Sequence, residues 1–311
     1  INGADVYQRL MDLFRKADDR YNSGLFHFQR EKERPEGPDE LTPELIIDDK
    51  PLKEILRALY YPCPYVFSEI PPEILGQVYE QFLGKVITLT AGHHARVEDK
   101  PEVKKAGGVF YTPAYIVDYI VKHTVGKLLE GCSVKLLKTK PPKLDRPLRV
   151  LDPACGSGSF LLGAYQFLLD WYLNYYTQQT NPDEWLTTRH PPIYQAGVQG
   201  WKLALAERKR ILLDHVFGVD IDTQAVEVTK LSLLLRVLEG EKALVLFHHE
   251  RALPDLAANI KCGNSLIGPD FYKGQQLAMF DEEERFRINA FDWHAGFPDI
   301  FKDGGFDAVI G

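Results

Sequence analysis

The stretch Asp152-Pro153-Ala154-Cys155-Gly156-Ser157-Gly158-Ser159-Phe160 limits what this chain can fold into more than any other. Before it stands a short apolar run, Leu148 to Leu151, set off by Pro141, Pro142 and Pro147; after it comes a longer apolar run, Phe160 to Tyr172. The pattern predicts a strand that turns through two glycines into a helix. Glycines at such a turn let the backbone approach a ligand with no Cβ in the way, and the unpaired N–H groups of the helix start attract a carboxylate or a phosphate. A second short strand, Val216 to Val219, ends at Asp220 and leads into a helix bearing Val226, Leu231, Leu234, Leu235 and Leu238. Ile260 to Cys262 and Phe306 to Ile310 read as further strands. Strands alternating with helices predict a parallel sheet covered on both faces, an α/β fold of the doubly wound kind.

The first hundred residues follow another pattern. Val6, Leu10, Leu13, Phe14 and Ala17 recur at helical spacing, Glu31 to Lys50 reads as a solvated loop, and Pro71-Pro72 open a helix. That helix is expected to carry one stripe, from Ile74, Leu75, Val78 and Tyr79 to Phe82, Leu83 and Val86. The polar stretch Gly92 to Gly108 marks the boundary, giving a helical N-terminal domain over 1–105 and the α/β domain over 106–311. His93 and His94 in it lack a third ligand at metal-binding spacing and read as loop residues. Asn174 to Gly200 reads as an insertion whose Tyr175, Tyr176, Trp185 and Tyr194 tether it to its own domain. An alternative use of these aromatics, with Lys202, Arg208, Lys209 and Arg210, is contact with a nucleic acid.

Composition narrows the classes. No run approaches the roughly 18 apolar residues of a membrane span, and Ile1 to Leu10 show no secretory pattern, so the expected compartment is the cytoplasm. The four cysteines, Cys63, Cys132, Cys155 and Cys262, follow neither disulfide nor zinc spacing, and no metal is expected. A formal charge of −7 argues against a large nucleic-acid footprint on this chain. The start at Ile1 without methionine and the apolar end Val309-Ile310-Gly311 read as an excerpt of something longer.

Three more segments bear on the glycine turn. A dinucleotide fingerprint would need a small residue where Leu161 stands and an acid about 20 residues on, whereas Asp220 comes far later, which disfavours a nicotinamide or flavin enzyme. In Phe217-Gly218-Val219-Asp220-Ile221-Asp222 the acid at the strand end can accept both hydroxyls of a ribose, Ile221 can lie on an adenine face, and Asp222 suits a helix N-cap. In Cys262-Gly263-Asn264-Ser265-Leu266, Asn264 can bond an adenine edge or serve as a turn residue. In Gly108-Val109-Phe110-Tyr111-Thr112-Pro113, Phe110 and Tyr111 can flank a sulfonium cation, Thr112 supplies a hydroxyl, and Pro113 starts a helix.

The order of these four segments resembles that of the amino-methyltransferases of DNA whose cofactor region precedes the catalytic loop. Residues 74–83, Ile-Leu-Gly-Gln-Val-Tyr-Glu-Gln-Phe-Leu, also resemble a helix found ahead of this domain in type I modification subunits and in fused type IIG restriction and modification proteins. Phe291-Asp292-Trp293 and Phe297-Pro298 resemble the lead-in to the catalytic strand in the fused group. The resemblance implies S-adenosyl-L-methionine as cofactor, held by Phe110, Tyr111, Thr112 and Pro113 at its methionine end. It implies a loop from Asp152, Pro153, Ala154 and Cys155 through Gly156, Ser157 and Gly158, with Asp220, Ile221 and Asn264 at the adenosine end. It further implies methylation of adenine N6 in double-stranded DNA, gripped by regions largely outside this chain, although the family also holds cytosine-N4 enzymes. The family's catalytic loop, Asn-Pro-Pro followed by an aromatic, is expected directly after Gly311, so no catalytic residue falls within the chain and the chain alone is expected to be inactive. The rival readings are a cofactor-binding or scaffold fragment without catalysis and a nucleotide-dependent oxidoreductase. A nuclease in Asp48-Asp49-Lys50 is disfavoured because the run sits in a polar loop. An exposed last strand would favour self-association.

Overall fold

A computed structural model of the chain describes residues 3–21, 28, 39–60, 62–63, 66, 70–82, 85–99, 112–130, 147–197, 200–240, 253–272 and 288–311. Phe110 and Tyr111 lie outside these. The chain divides into two compact units, Ile1–Pro71 with Glu239–Leu256, and Pro72–Leu238 with Ala257–Gly311. In the first unit, α1 (Val6–Tyr21) and α2 (Asp49–Leu59) are joined where the Val6 N–H donates to Asp49 Oδ1 at 2.8 Å. The Tyr7 hydroxyl donates to the Thr42 carbonyl at 2.6 Å. Asp49 also pairs with Lys53 at 3.0 Å, so the acid-acid-lysine run at 48–50 heads a helix.

The second unit opens with α3 (Pro72–Phe82), shorter than its apolar stripe predicted. Val86 belongs instead to β1 (Lys85–Leu89), which pairs with β2 (Ala95–Asp99) in an antiparallel hairpin, Ile87 opposite Val97. The β-branched run Val86-Ile87-Thr88 suits a strand, and the turn closes through His93 at φ 58°. Apolar spacing alone could not separate a last helical turn from a short strand.

Then follow α4 (Ala114–His123), α5 (Val125–Leu129), β3 (Val150–Asp152) and α6 (Ser159–Asn174). The expected insertion holds a π turn (Tyr175–Gln179), α7 (Pro182–Leu186) and the strand β4 (Ile193–Gln195), which pairs with β5 (Trp201–Leu203). Tyr176 fastens it down, its hydroxyl donating to Glu207 Oε1 at 2.5 Å, while the Trp185 indole N–H bonds Thr180 at 2.7 Å within the insertion. Arg210, one of the cations near it, is engaged by Glu207 and Asp214. The chain continues through α8 (Leu205–His215), β6 (Val216–Asp220), α9 (Thr223–Leu238), β7 (Ile260–Cys262), α10 (Trp293–Gly296), α11 (Pro298–Lys302) and β8 (Ala308–Val309).

The main sheet has the order β7-β6-β3-β8, every pairing parallel. Alternation along the strands sends Leu151, Phe217 and Val219 to one face, where they join Phe291, Phe297 and Ile300 in a buried cluster. The Phe297 ring stands 6.0 Å from Phe217 and 5.3 Å from Phe306. On the other face a Cβ at Gly218 would come within 2.7 Å of Leu161, so α6 lies directly on β6 there. Helices on both faces explain why β3 is buried at every residue, with Val150 and Leu151 both apolar ahead of Asp152. The result is a mixed α/β unit.

One buried polar node ties these layers together. His215, fully buried at the end of α8, bonds through Nδ1 to the Leu148 carbonyl at 2.6 Å and through Nε2 to the Tyr172 hydroxyl at 2.8 Å. Nδ1 must donate to the carbonyl, and because burial holds the ring neutral, Nε2 accepts from the Tyr172 hydroxyl. Burial pushes its pKa down to about 4. Among the described residues no helix is long and apolar enough to cross a membrane.

Candidate functional site

Strand order reverses beside β3: β6 and β7 extend the sheet to one side, β8 to the other. In open parallel sheets the crevice outside the carboxyl ends at such a reversal is where ligands bind. β3 ends there at Asp152, and β8 delivers the chain to the same place, since the Ile310 N–H donates to the Leu151 carbonyl at 2.9 Å. A Cβ on Gly311 would stand 3.4 Å from Asp152 Oδ1.

Backbone and side-chain bonds hold the glycine turn in one shape. Asp152 Oδ1 accepts the Ala154 N–H at 3.0 Å across Pro153, and the Cys155 N–H reaches the Val219 carbonyl at 3.0 Å. The Gly156 N–H donates to Asp220 Oδ2 at 2.7 Å, and the Gly158 N–H closes back on the Cys155 carbonyl at 2.8 Å. Gly156 and Gly158 have φ of +52° and +88°, and a Cβ on Gly158 would meet Thr229 at 2.9 Å. Thr229, on α9, also donates to the Gly156 carbonyl at 2.8 Å. Thr229 went unnoticed in the sequence because it looks like any other polar residue on a helix.

Asp220 is the hub between strand ends. Its Oδ1 accepts the Asp222 N–H at 2.9 Å, and its carbonyl accepts the Gly263 N–H at 2.8 Å. Ile221 beside it is 50% exposed, open to a flat ligand face. Asp222 caps α9 by accepting the Gln224 N–H at 2.9 Å. Asn264 stands one residue past Gly263 and makes a turn, its Oδ1 accepting the Leu266 N–H at 3.1 Å. That leaves its Nδ2 as the group that could meet a ligand edge.

Thr112 and Pro113 lie at the head of α4. Cβ atoms built on Gly163 and Gly126 would meet Val117 at 2.5 Å and Phe167 at 3.0 Å, so α4 with α5 runs in the same direction as α6. The head of α4 is therefore at the same end of the sheet as Ser159 and the glycine turn.

Sequence reading assigned α3 to a separate helical domain and its Tyr79 to a core stripe, yet α3 reaches this site. The Tyr79 hydroxyl donates to Asp222 Oδ2 at 3.2 Å, Glu80 accepts the Ser157 hydroxyl, and a Cβ on Gly76 would crowd Ser157 Oγ at 3.0 Å. The available signal was a glycine, a tyrosine and a glutamate at the i, i+3, i+4 spacing that shares one helix face.

The site is acidic. Burial raises the Asp152 pKa to about 7, against the opposing Ala154 N–H and with help from the Asp220 charge. Burial likewise raises Asp220, opposed by the N–H groups of Asp222 and Gly156, and Glu80, opposed by Ser157. Burial also pushes the Cys155 thiol well up, which leaves it no nucleophile at neutral pH. The side chains bonded to the turn are thus carboxylates and hydroxyls. Among the described residues no group of His, Cys, Asp or Glu is arranged to hold a metal ion.

Comparison with known proteins gives this geometry a family. The model of the N-6 DNA methylases matches residues 71–259, taking in α3, the glycine turn and Asp220. This chain belongs to the N-6 DNA methylases. The model of the Eco57I restriction-modification methylase matches residues 214–311. Over 307 residues the chain is 31% identical to the type II restriction enzyme and methyltransferase RM.Eco57I of Escherichia coli, covering 98% of this chain and 26% of that protein. It is 25% identical over 228 residues to the adenine-specific methyltransferase BrxX of Escherichia coli, covering 65% of this chain and 16% of the relative. With the adenine-specific methyltransferase PglX of Streptomyces coelicolor it shares 22% identity over 212 residues, 67% of this chain and 14% of the relative. The chain thus spans about a quarter or less of each relative's length.

Proposed function

We propose that this chain is the S-adenosyl-L-methionine-binding part of a restriction–modification protein that methylates adenine N6 in double-stranded DNA. The observation that carries the reading is the 2.7 Å bond from the Gly156 N–H to Asp220, which joins glycine turn and strand-end acid at the sheet reversal. The strand order supports a doubly wound methyltransferase domain built around that reversal.

The residues fit the cofactor. S-adenosyl-L-methionine carries a sulfonium and an ammonium against one carboxylate, a net positive ligand, and Asp152, Asp220 and Glu80 crowd the turn. A dinucleotide would bring a pyrophosphate against the same carboxylates, which is repulsive in a half-buried site. Asp220 would take the ribose hydroxyls with the lone pairs left beside its two backbone bonds. Ile221 would cover the adenine face, and Asn264 Nδ2 would meet its edge. Asp152 and the turn from Pro153 to Gly158, with Thr112 and Pro113 and also Phe110 and Tyr111, would hold the methionine end. When bound, the cofactor supplies a methyl group on positively charged sulfur, and the acids of this chain bind and orient it.

Calorimetric titration of the folded protein with S-adenosylhomocysteine tests the reading. Affinity on the order of micromolar, lost in Asp220→Ala and Gly156→Leu, is expected. Tight binding of a nicotinamide dinucleotide that S-adenosylhomocysteine does not displace would overturn it. The target base is checked separately, by mass spectrometry of nucleosides from DNA treated with the whole protein. N4-methylcytosine in place of N6-methyladenine would reassign it.

A further inference from the structure

We propose that α3 is an integral wall of the cofactor site, with Glu80 positioning the glycine turn and Tyr79 positioning the acidic turn after β6. The inference rests on the cofactor reading above and adds residues outside the segments expected to bind it.

Gly76, Tyr79 and Glu80 are spaced to share one face of α3. Gly76 lets that face come close, since a Cβ there would stand 3.0 Å from Ser157 Oγ and 3.1 Å from its Cβ. Glu80 Oε1 then accepts the hydroxyl of Ser157, which is buried between the two positive-φ glycines of the turn. The preceding residue on the helix, Tyr79, holds Asp222, whose N–H is bonded to Asp220 Oδ1 at 2.9 Å. A single helix therefore fixes the spacing between the two segments assigned to opposite ends of the ligand. The helix is itself anchored, packing along α9 with an ion pair from Glu73 to Arg236.

Glu80 is an expensive residue to keep for packing alone. Its Oε2 is buried without a hydrogen-bond partner among the described residues. An unpaired buried carboxylate oxygen destabilises a fold, and an apolar side chain would fill the space without that cost. The bond to Ser157 is what an apolar residue could not supply. Because the turn has no regular structure of its own, its shape depends on such bonds from Asp220, Thr229 and Glu80.

The test uses two ligands that share the adenosine end. S-adenosylhomocysteine has the amino-acid end, and 5′-methylthioadenosine lacks it. By calorimetry on the full chain, Glu80→Ala is expected to weaken S-adenosylhomocysteine about tenfold, the effect of one lost bond of ordinary strength, while 5′-methylthioadenosine stays within about twofold. Glu80→Gln, whose amide oxygen can still accept from Ser157, is expected to recover most of the loss. Tyr79→Phe should weaken both ligands alike. Equal loss of both ligands in Glu80→Ala, no loss of either, or a Gln variant no better than Ala would each overturn the proposal. When the parent binds both ligands and Glu80→Ala alters neither, the cofactor reading stands and only this proposal falls. A parent that binds neither ligand removes the cofactor reading first.

Discussion

Asp220 Oδ2 receives the Gly156 N–H at 2.7 Å across 64 residues of chain, so the acid at the end of β6 shapes the glycine turn. Its other oxygen holds the Asp222 N–H at 2.9 Å. The same carboxylate is thus both a brace for the glycine turn and the proposed ribose acceptor. Asp220→Ala should therefore cost stability as well as affinity: about 1–3 kcal/mol in urea unfolding, from two backbone donors left without acceptors. Binding of S-adenosylhomocysteine should fall by more than the stability loss accounts for. Asp220→Asn, which keeps one acceptor oxygen, should fall between parent and Ala on both scales. Unfolding curves that superimpose for all three proteins would show that the brace has no energetic weight.

Gly158 combines two demands that a side chain cannot meet. Its φ is +88°, and a Cβ would sit 2.9 Å from Thr229. Gly158→Ala should destabilise the fold by about 1–3 kcal/mol, the usual cost of strained backbone or an overfilled site. Adding Thr229→Ala should return only part of this, because it removes the collision but leaves the backbone strain and deletes the bond to the Gly156 carbonyl. Full recovery in the double variant, measured by thermal unfolding, would mean that φ contributes nothing.

The glycine turn and Asp220 were legible because glycine and acid at strand ends have few other reasons to stand there. The strands around them were legible too: β6 is a short apolar run closed by Asp220, and β7, a weaker signal with Lys261 inside it, is closed by Gly263; the structure keeps both positions within a residue or so. What stayed hidden needed three dimensions. Nothing along the chain tells Tyr79 or Glu80 that Asp222 and Ser157 lie across from them, since those pairs are 143 and 77 residues apart. The apolar stripe of α3 also runs past its real end, because Val86 fits a helical period and a strand equally well. Asn264 had two readings in sequence, and the structure shows the turn bond without excluding the ligand contact.

Two buried groups titrate in opposite senses. Asp152, raised to about 7, binds its proton more tightly in the folded state, so its contribution to stability is full below about pH 4 and is lost as pH rises through 7. His215, lowered to about 4, is held neutral in the fold, so its contribution is full above about pH 6.5 and is lost as pH falls through 4. Their slopes oppose one another over most of that range. Asp152→Asn removes only the first, and its amide oxygen can still accept from Ala154. The unfolding free energy of the variant, relative to the parent, should therefore climb from about pH 4 to about pH 7 and level off above. A difference that stays constant with pH would mean that Asp152 ionises normally in the fold.

The aromatic layer on one face of the sheet reaches the site through Gly263. Its N–H donates to the Asp220 carbonyl at 2.8 Å, while a Cβ on it would stand 2.5 Å from Phe291 Cδ2 and 2.9 Å from Phe291 Cβ. Phe291 is buried and packed edge-on against Trp293 at 5.0 Å, so it has little freedom to retreat. Gly263→Ala should then push the end of β7 away from β6, at a cost of about 1–3 kcal/mol typical of overpacking. It should also weaken 5′-methylthioadenosine, because Asp220 and Asn264 flank the displaced residue. Phe291→Leu alone should destabilise by leaving a void, yet it should soften the effect of Gly263→Ala in the double variant. The two changes are in direct contact, and a double-mutant cycle should show coupling of about 0.5–3 kcal/mol in the direction of rescue. Strict additivity would mean that β7 yields without involving Phe291, and the aromatic layer would then have no hold on the adenosine end of the site.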